Sequence, residues 1–253
     1  MFELVELTSK AHKNFKVVPQ SKTLFAQGQQ IMSLKVSEVS QAATNLPVIY
    51  TRSGHDGGFV LSALTGLTPE QNLFVQDDTW TATFTPSSMQ THPMYLMKSP
   101  KEENAYTIGI DENSTAFSTE NGEALFDEKG AATLYLSKVK ALLEADIKHS
   151  IETHQFTQKL DTLGLLKAID LNIQFDSGIQ RLNGIYVIDE AKFQQLGGEI
   201  LAELNQLGYL IPINAMLISL YQLNALIRRY NAISQGNQIK QLKMEVAKDA
   251  NAF

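Results

Sequence analysis

The sequence contains no cysteine. Disulfides, thiolate metal sites, iron–sulfur ligation and cysteine nucleophiles are excluded with it, because each needs a sulfur atom the chain does not carry. Arginine is scarce, with only Arg52, Arg181, Arg228 and Arg229, and the 21 basic residues are outnumbered by 27 acidic ones for a net charge of −6. The densest basic stretch, Lys10, Lys13, Lys16 and Lys22, has Phe15 as its only aromatic neighbour. A nucleic-acid surface needs a clustered basic stripe to displace phosphate counterions, so nucleic acid is not an expected partner. Also missing are the phosphate-binding Walker loop, the dinucleotide Gly-x-Gly-x-x-Gly, the Gly-x-Ser-x-Gly elbow and the zinc-binding His-Glu-x-x-His. Their absence closes the familiar routes to NTP hydrolysis, nicotinamide chemistry, serine hydrolysis and zinc proteolysis. Residues 1–18 carry Glu3 and Glu6 and no apolar run behind a basic end. They do not read as a secretory signal, and the expected location is the cytoplasm. No uninterrupted membrane span is expected either, since Leu207 to Ile227 contains Pro212, Asn214, Ser219, Gln222 and Asn224 and runs into Arg228 and Arg229.

What is there suits a folded α+β chain. Its 253 residues are 43% apolar and 19% charged, enough to bury a core and too apolar for disorder. The expectation is a β-rich first half with hairpins and a mainly helical second half containing one further hairpin. A single domain over 1–253 is expected, with a sub-boundary near 130. Leu46 to Arg52 and Phe59 to Leu64 flank the glycine-rich Ser53-Gly-His-Asp-Gly-Gly58, as a β-hairpin requires. Further strands are expected over 72–76 and 106–111, and a short helix over 37–45 capped by Ser37. From Ala131 to Leu163 apolar residues recur at helical spacing until Gly164. Ile169 to Phe175 alternates strictly, Asp176-Ser-Gly178 supplies a turn, and Ile179 to Ile188 returns as a second hairpin. Asp189 can cap a following helix. The final helix, 212–233, is apolar over much of its circumference, which predicts a core position or a homodimer contact. The polar tail 234–253 is expected to fray.

Candidate chemistry is sparse. Arg52, His55 and Asp56 stand on the glycine-rich loop, whose amides and guanidinium can hold an anion while the histidine acts as acid or base. The same glycines are what a hairpin turn demands. Asp111 and Glu112 form an acidic pair after a strand, without the ligand spacing of a calcium loop. Trp80 with Phe84, Tyr95 and Phe117 offers an apolar pocket for a peptide side chain or a flavin ring, although aromatics more often fill a core. Asp146-Ile-Lys-His149 copies the carboxylate–histidine spacing of helical di-iron bundles, but only once. No catalytic residue, metal ligand set or cofactor follows from these residues. They favour a non-catalytic protein with a protein or peptide partner. An enzyme built around Arg52, His55 and Asp56 is the alternative.

Several blocks in order, Leu46-Pro-Val-Ile-Tyr50, Gly66-Leu-Thr-Pro-Glu-Gln-Asn-Leu-Phe74, Ile110-Asp-Glu112, Gly122-Glu-Ala-Leu-Phe-Asp-Glu-Lys-Gly130, Leu182-Asn-Gly-Ile-Tyr-Val-Ile-Asp-Glu190 and Ser219-Leu-Tyr-Gln-Leu223, resemble the bacterial SapC-like family. The match runs from the Lys10 region to about Arg229. The family name comes from a surface-layer protein, which implies surface-layer association as an alternative location. Members are encoded beside flavin-dependent halogenase-like proteins, cupin-like oxygenases and TonB-dependent receptors, which implies an accessory role. The resemblance assigns no catalytic residue.

Overall fold

The computed structural model describes residues 3–103 and 105–247, with 37% helix and 27% strand. In chain order the elements are β1 (Val5–Glu6), α1 (Ser9–His12), β2 (Lys16–Val17), α2 (Ser21–Gln27), β3 (Ile31–Ser33), α3 (Val39–Ala42), β4 (Val48–Arg52), β5 (Phe59–Leu64), β6 (Val75–Gln76), β7 (Thr79–Trp80), α4 (Ser87–Thr91), β8 (Met94–Lys98), β9 (Tyr106–Ile110), β10 (Phe117–Ser118) and β11 (Glu123–Ala124). The 29-residue α5 (Leu134–Thr162) follows. Then come β12 (Leu166–Phe175), β13 (Gly178–Ile188), α6 (Glu190–Gln194), α7 (Gly198–Gln206), α8 (Leu210–Ser219), α9 (Leu223–Ile233) and β14 (Ile239–Val246).

Contacts divide the chain into two interleaved units. The first comprises 1–27, 75–80 and 87–148, the second 28–74, 81–86 and 149–253. The first unit holds the antiparallel sheets β1-β9-β8 and β10-β2-β11 and the β6-β7 hairpin. Its core gathers Val17, Met94, Ile110, Leu125, Leu136, Val139 and Leu143. A tight approach fixes it at Gly122, whose φ of +126° and whose missing Cβ would stand 2.2 Å from the Val17 carbonyl oxygen. Only glycine fits there.

The second unit is organised by one six-stranded antiparallel sheet in the order β14-β12-β13-β4-β5-β3. Both expected hairpins are present in it, and Tyr186 of β13 opposite Tyr50 of β4 joins them into one sheet. The second half of the chain is not clearly mainly helical: beside its helices, three strands, the expected hairpin and β14, complete a sheet begun before residue 65. The tail also departs from expectation. Residues 239–246 do not fray but form β14, because Leu242, Met244 and Val246 recur every second residue and align with Ile173, Leu171 and Ile169 of β12. Residues 248–253 of the same tail lie outside the described residues. The strand expected over 72–76 shrinks to β6, since the Asn72 side-chain oxygen accepts the Phe74 N–H at 2.9 Å and holds a buried turn instead.

The last long helix is broken into α8, a 3-10 turn at Leu220–Gln222, and α9. By length and composition the 24 residues Leu210–Ile233 would suffice to cross a membrane. In this fold they cover one face of the sheet. Ser219, fully buried, accepts the Val48 N–H at 2.9 Å and donates to the Met216 carbonyl at 2.6 Å. The Asn231 side chain bonds both the N–H and the carbonyl of Ile239. Those contacts pin the helices to β4 and to β14.

Candidate functional site

Arg52, His55 and Asp56 sit on the β4–β5 turn of the second unit. The turn is closed by Ser53 N–H to the Gly58 carbonyl at 2.8 Å and Gly57 N–H to the Ser53 carbonyl at 3.0 Å. The Arg52 Cζ stands over the Phe59 ring, 3.6 Å from its centre, and the guanidinium donates to the Gly57 carbonyl at 2.9 Å. Asp56 accepts the Gly58 N–H at 3.0 Å, and that bond with the Ser53 hydroxyl holds its carboxyl below the ordinary value. The cation stabilises the edge-to-face pair of Phe59 and Tyr186 and the carboxylate stabilises its own turn, while His55 is exposed and its backbone N–H donates to the Ser53 hydroxyl at 3.2 Å. These are the interactions of a hairpin end.

Trp80, Tyr95, Asp111 and Glu112 belong to the first unit. Trp80 ends β7 opposite Val75. Tyr95, on β8, approaches His92 Nδ1 with its hydroxyl at 3.3 Å, and burial with the nearby Asp111 charge raises its pKa. Phe117 packs against Phe15 at 5.5 Å between ring centres, and Phe84 belongs to the second unit. Glu112 accepts a 2.6 Å hydrogen bond from Nε2 of His12, a residue without any local signal of importance in the sequence. His12 is buried and its Nδ1 accepts the Thr8 N–H at 3.0 Å, so both ring nitrogens are engaged within the fold. Such a ring clasps α1 to the end of β9 and leaves no nitrogen for a substrate. Among the described residues no group of three or more His, Asp or Glu side chains is placed to hold a metal ion.

The concave site that the residue pattern did not reveal is in the second unit. A groove of about 780 Å³ runs between the sheet and the helix layer. Its floor includes Ile169 of β12 and Met244 and Val246 of β14; its wall is Leu217, Ile218 and Tyr221. Ile169 is 4% exposed, but Met244 and Val246 on the same sheet face are 48% and 57% exposed. Among the described residues the helix layer stops short of them. Ile218 and Tyr221, at 65% and 77%, turn outward along the rim. Lys167, Asp189, Glu190 and Glu245 give the mouth both signs of charge. Scattered exposed apolar residues are ordinary, whereas several bordering one concavity mark a contact surface. The expectation that helix 212–233 is apolar over much of its circumference resolves into a buried side, Ile213, Met216, Leu223 and Leu226, and an exposed row, Ile218 and Tyr221, which Ile211 just before it continues.

The blocks that carried the family resemblance have structural duties in common. Ser219 holds Val48, and Gln222 donates to the Thr44 carbonyl at 3.0 Å, so the 219–223 block is tied to the 46–50 block and the residues before it. Gly66 allows the Gln71 carbonyl to approach within 2.0 Å of where a Cβ would be. Asp127 accepts the N–H groups of Lys129 and Ala131, shaping the turn before Gly130. Asp189 accepts the Lys192 N–H and caps α6. No curated protein and no solved structure matches the chain. A family model described as SapC matches residues 7–226, spanning both units and every one of those blocks but ending before β14. With most of its length covered in this way, the chain belongs to the SapC family.

Proposed function

We propose that this SapC-family chain is a non-catalytic binding protein that holds an apolar segment of another protein in the groove between β12, β14 and α8. The observation that carries the reading is the end of the sheet's buried face where, among the described residues, Met244 and Val246 lie beside Ile218 and Tyr221 with no helix over them. Exposed apolar area of this kind costs roughly 25 cal/mol per Å² relative to its buried state, a gain available to any partner that covers it. The mixed charges at the mouth suit orientation of a polypeptide, and an aromatic anchor such as Tyr221 is the residue type that most often dominates a protein interface. Of the polar side chains elsewhere that invite a catalytic reading, Arg52 and Asp56 are engaged in their own turn and Glu112 in a clasp with His12. The accessory role that the family resemblance implies favours as partners the flavin-dependent halogenase-like or cupin-like oxygenase proteins encoded beside family members.

The test is co-expression of the full chain with each of those proteins, followed by size-exclusion chromatography. The wild type should co-elute with one of them, and Tyr221→Glu, which places a charge on the groove rim without touching the core, should elute alone with an unchanged circular dichroism spectrum. Separate elution of the wild type from all of them, or co-elution of the variant as readily as the wild type, would overturn the proposal.

A further inference from the structure

The six-stranded sheet ends in two unlike edges. At one side β3 is only three residues long; at the other, β14 runs for eight, and β12 is the strand paired with it among the described residues. From Gln241 to Val246 its register against β12 is regular, with the single irregularity confined to the Ile239 end. An unpaired edge presents a row of free N–H and carbonyl groups that templates another strand, and proteins usually blunt it with a bulge, proline or lone charge. The Gln241 to Val246 stretch has no proline, and its charges come in both signs: Lys243 and Glu245.

That pairing of signs carries the argument. Two copies of one strand can join edge to edge only antiparallel, about a twofold axis perpendicular to the sheet, and that axis must pass through a residue so that facing side chains share a sheet face. With the axis on Met244, Lys243 of each copy faces Glu245 of the other, Leu242 faces Val246, and Met244 meets its own copy. Moving the axis to Lys243 sets two lysines opposite each other; moving it to Glu245 sets two glutamates opposite each other. Directly opposed unlike charges stabilise a strand pair by roughly 0.2–1 kcal/mol and like charges destabilise it, so the sequence of this edge specifies one register and penalises both neighbours. The apolar members of that register, Leu242, Met244 and Val246, all lie on the inner sheet face, where each abuts an apolar counterpart in the second copy and the groove face stays open.

We propose that the chain self-associates as a twofold dimer through β14, centred on Met244, giving one continuous twelve-stranded sheet. The contact is on the edge strand and not on helix 212–233, which walls the groove. The inference goes beyond the partner-binding reading and does not rest on it: the second copy adds in the plane of the sheet, and the perpendicular axis sets the two grooves side by side on one face.

Sedimentation equilibrium of the full chain at micromolar concentration should give twice the 28.1 kDa chain mass. Lys243→Glu, which makes both facing pairs repulsive, should weaken the dimer at least tenfold. The exchanged pair Lys243→Glu with Glu245→Lys should restore it; both positions are exposed, and the one side-chain bond the exchange removes among the described residues, from Asn172 to Glu245 at 3.1 Å, is itself at the surface, so circular dichroism should be unchanged. Because the chain has no cysteine, Met244→Cys supplies an independent readout. Facing residues in an antiparallel pair have Cα atoms about 4.5–5.5 Å apart, within the range a disulfide accepts, so mild oxidation should link the dimer at this position. Gln241→Cys should not link, its two copies being roughly 20 Å apart along the strands. Tyr221→Glu, which tests the groove, should leave the Met244→Cys cross-link intact. A wild type that is monomeric at these concentrations, a Lys243→Glu dimer as tight as the wild type, an exchanged pair that stays monomeric, or cross-linking at 241 equal to that at 244 would each overturn the proposal.

Discussion

Replacing Ser219 by alanine removes one oxygen from the interior of the second unit and leaves the shape of the site almost unchanged. Its cost is therefore set by hydrogen bonding rather than by a cavity. Ser219 is fully buried and Val48 is 1% exposed. The Ser219 hydroxyl accepts the Val48 N–H at 2.9 Å while donating to the Met216 carbonyl. The carbonyl lies within a helix, but Val48 is the first residue of β4 and its N–H is left buried without a partner. A buried donor that loses its only acceptor costs about 1–3 kcal/mol, and the dry surroundings argue for the middle of that range, about 2 kcal/mol. For a chain of this size that corresponds to a fall in Tm of roughly 4–8 °C. Thermal and urea unfolding followed by circular dichroism measure the change, with Asn224→Ala on the exposed side of α9 as a control expected to be neutral. A Ser219→Ala variant within about 0.5 kcal/mol of the wild type, the range of ordinary surface changes, would refute the claim that this hydroxyl ties the helix layer to the sheet.

Three further outcomes follow from the same structure. Gly66→Ala should cost about 3 kcal/mol or more, since the new Cβ would stand 2.0 Å from the Gln71 carbonyl oxygen, whereas Gly28→Ala, which meets nothing within 4 Å, should be harmless; denaturant midpoints of the two compare them directly. Arg181→Met should cost about 3 kcal/mol because it strands the buried Asp170 carboxylate, and the loss should shrink when Asp170→Leu is added. Burial, with Lys22 nearby, holds His92 down to about 4; as pH falls through the unfolded value near 6.5 the unfolded chain gains a proton that the folded one refuses, so stability should drop between about pH 6.5 and 4 and level off below. The full difference is at most about 3.4 kcal/mol, reduced to about 2 because the ring is only half-buried, and His92→Phe, which keeps the stacking on Phe25, should flatten the profile.

Local signals were enough for much of the fold. Strict alternation from Ile169 to Phe175 with Asp176-Ser177 as its turn announced the β12–β13 hairpin, and Gly164, at φ +61°, ends α5 as its position implies. What was not legible depends on partners far away in sequence. Met244 and Val246 look like scattered apolar residues in a polar tail until β12 is set beside them, although their period of two was present to be read. His12 carries nothing in its neighbourhood to foretell a hydrogen bond to Glu112, and Ser219 inside an apolar helix reads as a tolerated polar residue until β4 lies against it. The hairpin loop with Arg52, His55 and Asp56 advertised both a site and a turn; side-chain geometry distinguishes them, because the guanidinium and the carboxylate bond to their own loop. The groove was invisible because it is made of an incomplete layer, a matter of which helix stops where.

Native mass spectrometry of the chain isolated from its own host, wild type beside Tyr221→Glu, tests the partner-binding account most directly. The wild type should carry the added mass of a second, different polypeptide, and the variant should lack it. A wild type that instead retains a small metabolite or metal ion, lost on His55→Ala and unaffected by Tyr221→Glu, would contradict the account and move the function to the β4–β5 loop.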